Sequence, residues 1–189
     1  RQLAVSRDYS VDIYTGIIDS LFDLQLSTFG NAIDSSIFRK QMSFVSFAQA
    51  KEMAGQERAL LSAMLSDHNF SAGRMLALNK IRAAEEARLA NFVRLADEAA
   101  LTNYQEILNQ SYIKDAERIR QRVQAAALRE SFNGKAGSNG VKDVSLPRVD
   151  AWFALSSAKI DAMQVLEDVL NKSVNSSAQK EEGRARQEL

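Results

Sequence analysis

Apolar residues recur at three- and four-residue spacing along most of this chain, and that period predicts helices. Val11, Tyr14, Ile17, Ile18, Leu21 and Leu24 mark a first amphipathic helix over residues 9 to 29, which Phe29-Gly30-Asn31 ends. A second is expected from about Ala32 to Leu65. Between Met42 and Ala54 it is apolar nearly all round, which places it centrally, enclosed by other helices. The stretch SDHNFSAG closes it, and Asn69 or Ser71 is placed to cap a third helix. That helix has Leu78, Ile81, Leu89, Phe92 and Ala96 on one side, and RAAEEAR reads as its solvent face. A fourth, from about Leu101 to Phe132, carries Tyr104, Leu108, Tyr112, Ile119 and Val123. FNGKAGSNG, residues 132 to 140, is the clearest loop. Pro147 suits the first turn of a last helix, with Ser145 as its cap.

The pattern therefore predicts an all-α protein: an elongated antiparallel bundle of about five long helices, each of the longer ones about 30 to 50 Å end to end. Residues 1 to 170 form the helical domain. Beyond Leu170 the apolar stripe fades, so residues 171 to 189 read as a polar helical tail or a connector to an output or membrane segment. The start at RQLAVSRDYS, without an initiator Met, fits an excised piece of a longer protein.

Composition removes several functions. Twenty-four Lys and Arg balance 24 Asp and Glu, so no global field holds the chain to nucleic acid, and the alternating signs of ERIRQRV, residues 117 to 123, favour a solvated helix face. The absence of cysteine excludes disulfides and thiolate chemistry. His68 is the one histidine, set between helices, and cannot supply the paired Glu-x-x-His motifs of a di-iron bundle. GKAGSNG lacks the Gly-Lys-Ser/Thr ending of a phosphate loop. No enzyme, metal or cofactor is expected.

The second helix holds the candidate chemistry. In KEMAGQERAL, residues 51 to 60, Gly55 costs about 1 kcal/mol relative to alanine in a helix interior, so close approach of something else is implied. At 100° per residue Lys51, Ala54, Gly55, Arg58 and Ser62 share one face, while Glu57 lies beside it with Met53 and Leu61. Arg58 thus stands over a shallow patch, where a guanidinium fork can meet a planar anion. The alternative is a structural ion pair with a neighbouring helix. Lys159 falls in the stripe of Trp152, Leu155, Ala162, Leu166 and Val169; it either supplies a second cation to the ligand or pairs with a carboxylate. Tyr14 and Tyr104 are candidate hydroxyl donors or core aromatics.

KEMAGQERALLSAML resembles the signature of the nitrate- and nitrite-sensing (NIT) domain family: Lys51, Glu52, Gly55, Glu57, Arg58 and Ala59 match, with Ala54 a frequent choice. YTGIIDSLFDL (14 to 24), NFVRLADEAALTNY (91 to 104) and WFALSSAKID (152 to 161) agree in order and spacing, so the similarity spans roughly residues 11 to 170. The resemblance implies an all-helical input module of a bacterial chemoreceptor, sensor kinase or related protein, which binds nitrate or nitrite and signals to an output domain. Together with the helical face and the stripe described above, it makes Arg58, Lys51, Gly55 and Lys159 the expected ligand-binding residues. The broad apolar helices suggest a homodimer, and membrane anchorage is expected through segments outside this chain, in a periplasmic or alternatively a cytoplasmic setting. The family's opening helix carries a Glu-Arg-Gly-like motif that has no counterpart before Tyr14. A helical scaffold that binds a partner helix and no small molecule is the competing expectation.

Overall fold

In the computed structural model the described residues are 16–18, 20, 21, 24, 35–133 and 146–187. Five helices run through the two long stretches: α1 (Ser35–Asp67), α2 (Ala72–Leu95), α3 (Glu98–Leu108), α4 (Ser111–Asn133) and α5 (Val149–Gln187). No strand occurs among the described residues, so the all-α bundle expected from the pattern is the fold. The first expected helix, 9 to 29, is described only at six positions, all helical.

α1 is central, as its all-round apolarity requires. Val45, Phe47, Ala48, Ala50 and Ala54 are buried on successive sides, and α2 and α5 pack along it. Both run antiparallel to α1. Arg39 near its start donates to the carbonyls of Arg94 and Leu95 at the end of α2, whereas Lys40 donates to Ser177 near the end of α5 and Arg58 reaches Ser157 near its start. α3 and α4 run along α5, and α4 also reaches α2.

Local chemistry sets the ends. His68 adopts φ 49°, and the Asn69 amide returns to the Met64 carbonyl at 3.1 Å, which satisfies an orphan carbonyl at the end of α1. Asn69 Oδ1 then accepts from the Ser71 amide. Asp97 caps α3 through Ala100 N at 2.9 Å.

Two expectations change. The fourth helix is two, broken at Asn109 and Gln110, where polar side chains compete with the helical ladder: Gln110 Nε2 bonds the Glu106 carbonyl. No glycine or proline marks the break. Pro147 precedes rather than enters the last helix, whose first-turn bond runs from Trp152 N to Arg148 O. Ser145 and residues 134 to 140 of the expected loop lie outside the described residues, while Phe132 and Asn133 close α4. The polar stretch after Leu170 continues α5 without a break to Gln187, and Val174 is still buried.

The core has two halves. One joins Phe47, Phe92, Tyr104, Met163 and Leu166. Within it Phe47 and Phe92 lie 4.7 Å apart, and Tyr104 meets both edge-on. The other joins Leu61, Met64, Leu78, Ile119, Val123 and Trp152. Phe92→Ala is expected to cost about 3 to 5 kcal/mol, whereas exposed Leu76→Ala should stay within about 0.5 kcal/mol; urea unfolding checks both.

Candidate functional site

Between the two apolar halves lies a layer of buried charge. Glu57 sits on α1 between Ala54 and Leu61, and only 1% of its surface is exposed. Its carboxylate accepts a bidentate pair from Arg120 of α4, at 2.6 Å from Nε and 2.5 Å from Nη2. Arg82 of α2 stands 3.9 Å from Glu57 and 3.6 Å from Glu117, and Glu117 also accepts from Arg120. Glu85 of α2, equally sequestered, accepts from the Lys159 ammonium of α5. Three carboxylates thus face three cations, as buried charge demands.

The pairing shapes the ionisation of the layer. Burial pulls the Arg120 guanidinium down, but the Glu57 hydrogen bonds and the charges of Glu57, Glu85 and Glu117 outweigh it, so the net shift is upward. Tyr104 is pushed above its usual 10.0, by burial first and the Glu85 charge second. Both line a cavity of about 80 Å³ with Glu85, Leu89, Lys159 and Met163.

The α1–α5 seam is a second polar zone, and three of the residues singled out from sequence lie on its α1 side. Lys51 pairs with Glu167 at 2.6 Å and donates to Gln164 Oε1. One turn on, a methyl group built on Gly55 would meet nothing within 4 Å. Arg58 follows. Its Nη1 donates to Ser157 Oγ at 2.9 Å, its guanidinium carbon stands 4.9 Å over the Phe153 ring, and its carbonyl accepts from Trp152 Nε1 at 3.1 Å. Among the described residues no carboxylate lies within 4 Å of Arg58. The Ser62 hydroxyl, on the same helical face, is buried with no hydrogen-bond partner.

The structure therefore brings Lys51, Gly55 and Arg58 to one seam but points Lys159 across the bundle to Glu85. Tyr104 is core, and Tyr14 lies outside the described residues. Two sequence readings are corrected. RAAEEAR is not wholly a solvent face, because Glu85 is buried. ERIRQRV is not simply a solvated face, because the Arg120 side chain is 11% exposed and turned to Glu57. The signal was present in both: Glu85 lies four residues from Ile81 and from Leu89, and Arg120 three before Val123, each a charge set in an apolar stripe. Ser157 and Phe153 carried no such mark, since their role depends on the register between α1 and α5. His68 is exposed, and no cluster of metal-ligating side chains occurs among the described residues.

A family model described as nitrate and nitrite sensing matches residues 1–175. No curated protein and no solved structure matches the chain.

Two outcomes follow from the charged layer. Arg120→Met strands the Glu57 carboxylate and is expected to cost about 3 to 5 kcal/mol, while Glu57→Leu combined with Arg120→Met should cost much less than the two singles summed; a double-mutant cycle in urea measures this. Tyr104 binds its proton more tightly folded than unfolded, so above pH 10 the unfolded chain ionises first and stability falls as pH rises. Melting temperatures of the protein and of Tyr104→Phe, followed from pH 8 to 11, should diverge above pH 10, with the phenylalanine variant losing less.

Proposed function

The chain belongs to the nitrate and nitrite sensing family, and on that premise we propose that it is the input domain of a signalling protein, binding a small planar oxyanion at Arg58 and passing a change in helix packing to an output domain. The observation that carries this reading is the state of Arg58. Lys51, Arg120 and Lys159 each hold a carboxylate, whereas Arg58, from the same motif, is held by a hydroxyl and an aromatic face. A half-buried guanidinium with N–H groups to spare is a receptor for an anion that can accept two parallel hydrogen bonds. Gly55, one turn away, leaves room beside it, and the Ser62 hydroxyl offers another donor.

In this reading Lys51 flanks the ligand without surrendering its carboxylate and lends positive potential along the seam, while Lys159 stays with Glu85. The anion gains most from whichever arrangement of α1 and α5 lets the fork close on it, and that differential affinity sets the size of the shift. α5 runs from Arg58's partners to Gln187, so it is the proposed route to the output. We place the domain outside the cytoplasmic membrane, anchored through segments beyond this chain, and as a homodimer. The apolar side chains that α5 leaves exposed, Val165 at 66% and Val169 at 45%, support a partner helix. Among the described residues no helix is long and apolar enough to cross a membrane.

The scaffold reading has one observation in its favour, the complete pairing of the buried layer. Calorimetry with nitrate, nitrite, chlorate and acetate decides between them: a scaffold gives no heat with any of the four. Arg58→Lys keeps the charge but loses the fork, and is expected to weaken nitrate at least tenfold at unchanged melting temperature. Gly55→Ala should raise stability by up to about 1 kcal/mol and still impair binding by filling the space beside the fork. Wild-type nitrate affinity in both variants would remove this site. Light scattering is expected to return the mass of a dimer.

A further inference from the structure

An isolated arginine on a helix samples many rotamers, and a ligand that needs its fork in one orientation has to freeze them, which lowers affinity. Arg58 is restrained in three places by contacts with the first turns of α5. The Phe153 ring lies under the guanidinium, Ser157 accepts from Nη1, and Trp152 holds the backbone carbonyl of the same residue. Phe153 and Ser157 are four residues apart on α5, so they stand one above the other on a single face.

The restraint is specific to the guanidinium's shape. A ring beneath the plane leaves the in-plane N–H groups uncovered, and one Nη1 bond fixes the rotation of that plane about its own axis. What remains free is the edge formed by Nε and Nη2, for which no acceptor occurs among the described residues. Phe153 is 51% exposed, so the ring is not there to fill the core. Core duty on this stretch belongs to Trp152 and Ser156, at 0% and 4%.

We propose that Phe153 and Ser157 are positioning residues that hold the Arg58 fork preset for a planar oxyanion, and that this clamp is what ties occupancy of the site to the packing of α5 on α1. The inference rests on the anion-binding reading of Arg58 and adds to it where the selectivity comes from. Clamped, the fork prefers an anion with coplanar oxygens. Unclamped, the same charge attracts any anion, and a planar oxyanion loses its advantage over a spherical one.

The test uses the whole chain and two probes, potassium nitrate and potassium bromide, titrated calorimetrically at constant ionic strength. Ser157→Ala and Phe153→Ala are each expected to weaken nitrate about tenfold and to leave bromide within about twofold, so the nitrate-over-bromide ratio falls. Ser157→Thr and Phe153→Tyr restore the hydroxyl and the ring and should restore the ratio, which a purely structural role for these residues would not require. Nitrate binding that is lost in Arg58→Lys but unchanged in Ser157→Ala and Phe153→Ala overturns the clamp and leaves the Arg58 site standing. A parallel loss of nitrate and bromide in the alanine variants also overturns it. Nitrate binding that is absent in the protein, or indifferent to Arg58→Lys, removes the anion site and the clamp with it.

Discussion

Two carboxylates buried in the middle of a helical bundle constrain everything around them. Glu57 and Glu85 lie on the neighbouring helices α1 and α2, inside an otherwise apolar core, and neither can remain there without a cation delivered by a distant part of the chain. Glu57 takes its cation from α4 and Glu85 from α5. Apolar side chains tolerate a sliding helix; a bidentate Arg–Glu pair does not. The charged layer therefore sets the register of α4 against α1 and of α5 against α2, with an apolar half of the core on either side of it.

Once α5 is set in this way, Arg58 has no choice of neighbours. Lys159 faces Glu85, so Ser157 and Phe153, on another side of the same helix, face α1. Glu57 and Arg58 are adjacent in sequence and point about 100° apart, one into the layer and one into the seam. The Glu-Arg pair in the motif divides its work accordingly: the acid fixes the bundle, and the arginine is the residue proposed to meet the ligand. Trp152 touches both, since its indole N–H holds the Arg58 carbonyl while its ring lies 5.5 Å beneath the Arg120 guanidinium. Trp152 is thus a contact shared by the two zones.

Helices were legible in the sequence because their period is a local property. The central position of α1 could be read from its apolarity on all sides, and the last helix from its stripe. The break between α3 and α4 could not, because Asn109, Gln110 and Ser111 leave the apolar period intact on both sides and lack the glycine or proline that would announce a turn. In the site, Arg58 and Gly55 stood out by type and context, and Lys159 as a charge in an apolar stripe. The same rule extends to Glu85 and Arg120, but mixed-sign runs such as RAAEEAR hide a single inward residue among outward ones. Which carboxylate meets which cation is a matter of long-range register, and no short window of sequence contains it.

The chain holds a single tryptophan, and its place gives the protein an optical property of its own. An indole excited state carries a larger dipole than the ground state, so the colour of its emission follows nearby charge. Trp152 is sealed from water, hydrogen-bonded to the residue proposed to meet the anion and overlain by the cation of the buried layer. Its fluorescence is thus a native gauge of the electric field at the junction of the two polar zones, readable in the unlabelled protein.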